Sequence, residues 1–363
     1  MRSCCFPPRM ITRLSYDNEI NTAEPILAAV CLGTEQGAKR NMTMPKTRVA
    51  VLDDYQDVAL QMTDWSSLAP DTDIQVFRDH LSATDAIVER LKDFEIVVAM
   101  RERTPFRREL MSRLPKLKLL VTTGMRNAAI DLVAAADLGI TVCGSGGVLP
   151  PTAELTWGLI LALLRYIPRE DAATRAGQWQ VSMGLGVQGK TLGVIGLGNL
   201  GSYVANIGKA FQMEILAWSQ NLTAERATQA GATLVTKDEL LSRSDIVTIH
   251  LVLSDRTRNL LGARELGLMK PTASLINTSR GPIVNEPALI DALQKRTIAG
   301  AGLDVFDEEP LPLDHPFRTL TNIVVTPHIG YVTKETYEIF FRHIVENIRA
   351  FLDGTPVRAM RAS

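Results

Sequence analysis

Short apolar runs alternate with helical stretches along most of this chain, and this alternation limits the possible folds more than any other feature. Each run has four to seven residues, a length typical of a buried strand. Strands that alternate with helices at this spacing form parallel sheets with crossover helices. We therefore predict one series of strands at 47–52, 73–77, 95–100, 117–122 and 140–144, and a second at 190–196, 213–218, 232–235, 245–250, 273–278, 299–305 and 322–327.

The two series indicate two domains, which a length of 363 residues allows. An apolar segment at 151–167 stands between them, and we predict a long helix there that packs between the domains. A second helical segment, 334–354, follows the last strand and is expected to return to the first domain. The predicted fold class is α/β, with two doubly wound parallel-sheet domains. The first domain comprises 44–148 and 329–363, and the second, at 149–328, is inserted into it.

Residues 1–43 precede the first predicted strand, and we expect them to form a disordered extension. An apolar stretch in this segment begins only after several acidic residues, which argues against a signal or transit peptide. The four cysteines show no metal-ligand spacing, so we expect reduced thiols, no metal site and a cytoplasmic location. A net charge of −1 gives no reason to expect a nucleic acid or a membrane as partner.

The stretch GLGNLG places Gly196, Gly198 and Gly201 in the spacing GxGxxG. It follows a predicted strand and opens a predicted helix, which is the setting of a dinucleotide-binding βαβ unit. Gly196 allows the tight turn, Gly198 lets the backbone approach a pyrophosphate, and Gly201 permits close packing of helix on strand. The inserted domain is therefore predicted to be a Rossmann-type domain that binds NAD or NADP. The other domain is predicted to be flavodoxin-like and to bind the substrate.

Three further motifs follow at the ends of predicted strands, where ligands bind in open α/β sheets. They are NTSRG with Arg280, LDVFDEEPLP with Asp304 and Glu309, and TPHIG with His328. An arginine can hold a carboxylate, and a histidine can exchange a proton near neutral pH. A glutamate bonded to that histidine would fix its tautomer. Beside a nicotinamide, this set is suited to hydride transfer between the cofactor and C2 of a small 2-hydroxy acid or 2-oxo acid.

In this order the motifs resemble the D-isomer-specific 2-hydroxyacid dehydrogenases, in particular the D-3-phosphoglycerate dehydrogenase-like branch, over residues 46–360. The resemblance implies that Arg280 binds the substrate carboxylate, that His328 is the acid/base and that Glu309 is its paired carboxylate. It implies a homodimer formed through the helix near 151–167. The implied cofactor-binding residues are Gly196, Gly198, Asn199, Leu200, Gly201, Ser219, Gln220, Thr278, Ser279, Asp304 and Gly330. The implied substrate-binding residues, besides Arg280, are Arg101, Gly124 and Met125.

One position departs from the family pattern and bears on the choice of cofactor. Ser219 lies 21 residues after Gly198, where the family places an acidic residue on the cofactor ribose. A serine does not repel a 2′-phosphate, and Gln220 can hydrogen-bond either form of the ribose. The nearest cation, Arg226, lies seven residues further on. We therefore expect NAD to bind with weak discrimination against NADP.

The identity of the substrate stays open among phosphoglycerate, glyoxylate, hydroxypyruvate and other small 2-oxo acids. An alternative within the same fold is a non-catalytic dinucleotide sensor that resembles a corepressor, although the joint presence of Arg280, Glu309 and His328 argues against it. Formate dehydrogenases normally lack the Glu–His pair, and adenosylhomocysteine hydrolases use cysteine and lysine chemistry that this chain lacks. Both are disfavoured.

Overall fold

The structure is a computed structural model that describes residues 45–362, so the predicted extension at 1–43 lies outside the described residues. All twelve predicted strands are present within a few residues of their expected bounds. The strands are β1 (Thr47–Val51), β2 (Thr72–Val76), β3 (Ile96–Ala99), β4 (Leu119–Thr122), β5 (Thr141–Gly144), β6 (Thr191–Ile195), β7 (Glu214–Trp218), β8 (Thr233–Leu234), β9 (Ile246–Ile249), β10 (Ser274–Asn277), β11 (Gly300–Leu303) and β12 (Ile323–Val325).

The helices between the strands vary from one turn to five turns in length. They are α1 (Thr84–Leu91), α2 (Arg108–Met111), α3 (Leu132–Asp137), α4 (Pro150–Leu164), α5 (Ile167–Arg175), α6 (Asn199–Ala210), α7 (Ala224–Gln229), α8 (Lys237–Arg243), α9 (Ala263–Leu268), α10 (Glu286–Gln294) and α11 (Lys334–Leu352). Short 3₁₀ turns occupy Gly281–Ile283 and Pro316–Arg318. In residues 45–362 there is no helix with the length and apolar character needed to cross a membrane.

The smaller sheet contains the first five strands, all parallel, in the order β2-β1-β3-β4-β5. Successive side chains of a strand face opposite sides, so both faces of the sheet need a cover. Helices α1, α2 and α3 cover one face, where Leu91 and Leu110 belong to the same core as Ala50. Helix α11 covers the other face and buries Phe341 in one core with Val49. The C-terminal helix therefore returns to the first domain, as predicted.

The larger sheet contains the remaining seven strands, all parallel, in the order β12-β11-β10-β9-β6-β7-β8. The direction of chain progression reverses between β6 and β9, and such a switch point forms a crevice where ligands bind. The smaller sheet has the strand order of flavodoxin-like domains, and the larger sheet has the Rossmann order with one added strand. The predicted fold class, two doubly wound parallel-sheet domains, is confirmed.

The segment predicted as one helix at 151–167 forms two helices that meet at a sharp turn. Helix α4 ends at Leu164, Tyr166 adopts a left-handed conformation with φ of 53°, and α5 begins at Ile167. Pro168 accounts for the break, because it has no amide hydrogen to bond a carbonyl of the preceding turn. The location also differs from the prediction, since α4 packs against α6 and strands β10 to β12 of the larger sheet. That sheet needs cover on both faces, which explains the apolar character of α4.

Candidate active site

The three glycines of GLGNLG lie at the switch point of the larger sheet, where β6 ends and α6 begins. Gly196 has φ of +99°, and a Cβ there would lie 2.5 Å from the carbonyl oxygen of His250. A Cβ on Gly201 would lie 2.0 Å from the carbonyl oxygen of Gly196, so helix and strand are as close as predicted. A Cβ on Gly198 would meet no atom of residues 45–362 within 4 Å. The open space at Gly198 is therefore available to a ligand.

The first turn of α6 begins beside this open space and has no side-chain cap. Free amide groups at a helix start and the helix dipole attract negative charge. Asn199 and Leu200 are the first two helical residues, so their amides are suited to the cofactor pyrophosphate. The structure thus fits a dinucleotide at the place where the sequence predicts one.

Ser219 and Gln220 follow β7, the strand next to β6. Ser219 is half-buried and Gln220 is exposed, and neither side chain hydrogen-bonds to any residue in the described part of the chain. Arg226 lies on α7 and is exposed, and its guanidinium has no ion pair or hydrogen bond within residues 45–362. The predicted contact of Ser219 and Gln220 with the ribose of a dinucleotide stays a prediction.

His328 and Glu309 come from the loops after β12 and β11 and form a close pair. The Nδ1 atom of His328 lies 2.6 Å from Oε2 of Glu309. The other carboxylate oxygen of Glu309 accepts a hydrogen bond of 3.0 Å from the Phe306 amide, which holds the carboxylate in place. With Nδ1 facing Glu309, Nε2 is the nitrogen of His328 that can act on a ligand.

The loop that carries His328 is held by the buried carboxylate of Asp304. This carboxylate accepts hydrogen bonds from Thr326 Oγ1 at 2.6 Å and from the amides of Ile329 and Gly330 at 2.8 Å each. Burial raises the pKa of Asp304. His328 has φ of 54°, a left-handed conformation that is unfavourable for a non-glycine residue. Asp304 bonds the chain on both sides of His328, and we infer that these bonds maintain this conformation. The predicted contacts of Asp304 and Gly330 with the cofactor stay predictions.

Arg280 follows β10 and is positioned by two hydrogen bonds. Its Nη1 donates to the carbonyl oxygen of Ser279 at 2.6 Å, and its Nη2 donates to Oε1 of Glu102 at 2.7 Å. The hydroxyl of Ser279 donates to the carbonyl oxygen of Ile249, and the hydroxyl of Thr278 is bonded to that of Thr156. Thr278 and Ser279 therefore brace the loop that presents Arg280. Their predicted contacts with the cofactor are not tested by this arrangement.

Arg101 and Gly124 lie together at the carboxyl edge of the smaller sheet. The Nη1 of Arg101 donates to the carbonyl oxygen of Thr123, and a Cβ on Gly124 would lie 2.2 Å from that Nη1. A side chain at this position would displace the guanidinium, and the φ of +88° at Gly124 is one that residues other than glycine rarely adopt. The amide of Gly124 donates to Ser145 Oγ at 2.8 Å, so it is engaged within the protein. Met125 is half exposed, and its predicted contact with the substrate stays a prediction.

Two residues of this cleft were not among the predicted site residues. Glu102 bridges the two domains through its ion pair with Arg280, and its other oxygen lies 3.7 Å from Nε of Arg101. Tyr331 packs edge-to-face on His328, with ring centroids 5.7 Å apart. Their neighbours in sequence, Arg101 and the TPHIG motif, were the only local signals that could have indicated them.

Several buried polar atoms of this cleft have no hydrogen bond within the described residues. Within residues 45–362, five buried side-chain nitrogen or oxygen atoms have no hydrogen bond, and three of them belong to Arg101, Glu102 and Tyr331. Buried polar groups are almost always paired in folded proteins, so a cluster of exceptions indicates a place for water or a ligand. The cleft between the two domains is therefore the candidate active site.

The four remaining histidines have partners within the protein. Burial lowers the pKa of His250 to about 3, so this side chain is neutral. The four contacts are His80 Nδ1 with Asp53 at 2.9 Å, His250 Nε2 with Thr248 at 2.9 Å, His315 Nε2 with Glu286 at 3.1 Å and His343 Nδ1 with the amide of Gly146 at 2.9 Å.

Comparisons with known proteins agree with the fold and the motifs. The family model of the D-isomer specific 2-hydroxyacid dehydrogenase NAD binding domain matches residues 157–330. A glyoxylate reductase of Aeropyrum pernix is 42% identical over 256 residues, which cover 68% of this chain and 76% of the relative. A D-3-phosphoglycerate dehydrogenase of Methanocaldococcus jannaschii is 37% identical over 274 residues, 74% of this chain but only 52% of that relative, so the match spans about half its length.

A solved structure supports the same assignment. The phosphoglycerate oxidoreductase of Vibrio cholerae superimposes with a TM-score of 0.81 at 36% sequence identity, and the match covers 85% of this chain and 99% of that one. The likeness therefore includes both sheets and the cleft between them.

The two glycines of the turn lead to a prediction that separates cofactor binding from folding. In Gly198→Ala the new methyl group meets no protein atom, so the unfolding temperature should stay unchanged while NADH affinity falls about tenfold or more. In Gly201→Ala the methyl group meets the Gly196 carbonyl, so the unfolding temperature and the NADH affinity should both fall. The expected loss of stability is about 1–3 kcal/mol. Thermal unfolding and NADH fluorescence titration measure these effects. Normal NADH affinity in Gly198→Ala would show that no pyrophosphate lies there.

Proposed function

Because this chain belongs to the D-isomer specific 2-hydroxyacid dehydrogenase family, we propose that its cleft interconverts a small D-2-hydroxy acid and the matching 2-oxo acid. The family and the relatives establish an NAD(P)-dependent oxidoreductase of 2-hydroxy acids. The observation that carries the assignment of residues is the 2.6 Å contact of His328 with Glu309, in the same cleft as Arg280. We assign substrate binding to the domain formed by 44–148 and 329–363, and cofactor binding to 149–328.

Arg280 is the proposed site for the substrate carboxylate. A guanidinium has five N–H donors, and the protein uses one donor of each terminal nitrogen, on Ser279 and Glu102. The other donors stay available to a carboxylate, which an arginine can bind through two parallel hydrogen bonds. Arg101, across the cleft, has a buried Nε that is unpaired in the described part of the chain, and it is the second proposed contact.

His328 is the proposed acid and base, and Glu309 its partner. When bound, the reduced nicotinamide supplies the hydride for C2 of the substrate. In that direction, His328 gives the proton on Nε2 to the carbonyl oxygen, and in the reverse direction it accepts the proton of the hydroxyl group. Glu309 holds Nδ1 and stabilises the positive charge of the protonated ring. The glyoxylate reductase and D-3-phosphoglycerate dehydrogenase relatives favour glyoxylate and 3-phosphohydroxypyruvate, the 2-oxo form of 3-phosphoglycerate, as substrates to examine. Hydroxypyruvate is the third acid to examine, since the sequence leaves it open.

Loss of the acid/base pair should slow turnover strongly while the cofactor still binds. For His328→Ala we expect kcat to fall by about 10²–10⁴-fold with every 2-oxo acid, because no group remains to protonate the carbonyl oxygen. NADH affinity should stay within about twofold, since His328 is not proposed to hold the dinucleotide. Glu309→Gln should also lose activity, because the amide cannot stabilise the protonated ring. Steady-state kinetics with the three acids and NADH titration measure both quantities.

Glu308→Gln is the matched control, because Glu308 is the exposed neighbour of Glu309 and should be replaceable without effect. A parallel loss of turnover and NADH affinity in His328→Ala would mean that His328 is structural. If the wild-type protein binds NADH but reduces no 2-oxo acid, the corepressor-like sensor becomes the better interpretation.

The same structure bears on the choice between NADH and NADPH. Position 219 carries a serine, which does not repel a 2′-phosphate as an acidic residue would. Arg226 is exposed and unpaired within the described residues. We propose that NADH and NADPH are both used. A preference for NADH above about a thousandfold in kcat/KM, some 4 kcal/mol, would contradict this.

An acidic residue at position 219 should make the protein discriminate against NADPH. Ser219→Asp is expected to raise the preference for NADH by about tenfold or more, because the carboxylate bonds the ribose hydroxyls and repels a phosphate. The control is Asn221→Asp, which adds the same charge two residues further on. Equal shifts in kcat/KM for both variants would show that only the general charge of the region matters.

A homodimer is the proposed assembly. Trp179 and Met183 lie in the segment after α5 and are 78% and 91% exposed, and Ile167, the first residue of α5, is 52% exposed. Large apolar side chains clustered at a surface mark interaction sites. Because α4 is largely buried on its own sheet, we place the interface at this following segment.

Sedimentation equilibrium should therefore give about twice the chain mass of 39.9 kDa. The double variant Trp179→Ser, Met183→Ser should weaken the dimer by about tenfold or more, since interface aromatics contribute most to binding. Leu313→Ser is the control, because Leu313 is equally exposed at 91% but lies in another loop. A monomeric wild-type protein would refute the proposed assembly.

A further inference from the structure

Glu102 places a fixed negative charge beside the arginine that is proposed to bind the substrate carboxylate. Its Oε1 accepts a hydrogen bond of 2.7 Å from Nη2 of Arg280, and its side chain is only 20% exposed. Burial raises the pKa of Glu102, but Arg280 and Arg101 outweigh burial and bring it below its usual value. The carboxylate is therefore ionised at neutral pH.

Glu102 also lies beside the second arginine of the cleft. Its Oε2 is 3.7 Å from Nε of Arg101, and both atoms are buried without a hydrogen-bond partner among residues 45–362. Two guanidinium groups and one carboxylate leave one unit of positive charge. A single substrate carboxylate neutralises that charge, whereas a substrate with two negative groups brings an excess negative charge close to Glu102.

Arg103 and Arg126 are two further cations of this domain, and each is less suited than Arg280 and Arg101 to bind a second anion. Arg103 donates to the carbonyl oxygen of Asp53 and lies over the ring of Tyr55 at 4.5 Å. Asp53 and its neighbour Asp54 follow β1, and their buried carboxylates add negative charge to the segment that Arg103 contacts. Arg126 is exposed, where water and salt screen its charge.

We propose that Glu102 determines specificity by charge, so that the cleft accepts 2-oxo acids with one negative group and rejects those with a second carboxylate or a phosphate. This rests on the proposed function only in taking Arg280 as the site of the substrate carboxylate. Like charges brought together at a binding site cost several kcal/mol and are a common means of excluding wrong ligands. The inferred substrate class is thus the unphosphorylated monocarboxylic 2-oxo acids.

A purely structural role for Glu102 would be to orient Arg280. Glu102→Gln separates the two roles, because the amide oxygen can still accept the hydrogen bond of Arg280 while the charge is lost. Loss of an orienting role would weaken every ligand alike. If Glu102 acts through its charge, Glu102→Gln should bind anions more tightly. A dianion should gain twice the electrostatic binding free energy of a monoanion, because it carries twice the charge in the same field.

The test measures binding of two acids that differ by one carboxylate, glycolate and tartronate, to the full chain with NADH bound. Both are hydroxy acids, so neither turns over with the reduced cofactor. In titration calorimetry, Glu102→Gln should bind glycolate about threefold more tightly and tartronate about tenfold more tightly, which corresponds to roughly 0.7 and 1.4 kcal/mol. Glu109→Gln removes an exposed charge from the same domain and should change neither affinity. The unfolding temperature of each variant checks the fold.

A second experiment compares kcat/KM for hydroxypyruvate and 3-phosphohydroxypyruvate. The wild-type protein should favour hydroxypyruvate, and Glu102→Gln should reduce that preference about tenfold. Equal changes for glycolate and tartronate, a loss of both, or a wild-type preference for the phosphorylated acid would overturn the proposal. If no acid turns over but the binding pattern is found, the proposed function fails and the charge role of Glu102 stands. If 2-oxo acids turn over but the binding pattern is not found, the proposed function stands and the charge role of Glu102 is refuted.

Discussion

Parallel strands place all their carboxyl ends at one edge of a sheet, and the candidate site of this protein depends on that constraint. The glycine turn follows β6, Arg280 follows β10, and His328 follows β12 of the larger sheet, while Arg101 and Glu102 follow β3 of the smaller one. Loops that are far apart in sequence therefore meet at two edges. The ion pair of Arg280 with Glu102 connects those edges, although the two residues are 178 positions apart.

Within the cleft, buried polar side chains hold the reactive groups in conformations that the chain would not adopt alone. Asp304 bonds both sides of His328, and His328 has a left-handed backbone. Arg101 is also left-handed, with φ of 52°, and Thr123 and Asn127 bond its backbone. Unfavourable backbone conformations persist only where surrounding contacts enforce them, and they cluster at functional sites. The bonds around His328 and Arg101 indicate a preorganised cleft.

Much of the fold and part of the site could be predicted from the sequence, because local patterns determine them. The length and apolar character of each strand indicated all twelve strands, and the glycine spacing indicated the turn at the β6 switch point. Arg280, Glu309 and His328 were predicted from motifs at strand ends, and the structure brings them into one cleft. Their catalytic roles stay proposals. The break at Pro168 was missed because the apolar run continued across it, and the cover needed by the larger sheet decided where α4 packs.

What only the tertiary structure decided is which polar groups are paired. Asp304 is committed to the loop of His328, Thr278 and Ser279 brace Arg280, and Glu102 lies between two arginines. No local pattern encodes these contacts, because each joins side chains or loops from separate strands. The sequence by itself determined the fold class and the chemical types of the reactive groups. The charge balance of the cleft, and with it the inferred substrate class, arises only when the two domains bring Glu102 and Arg280 together.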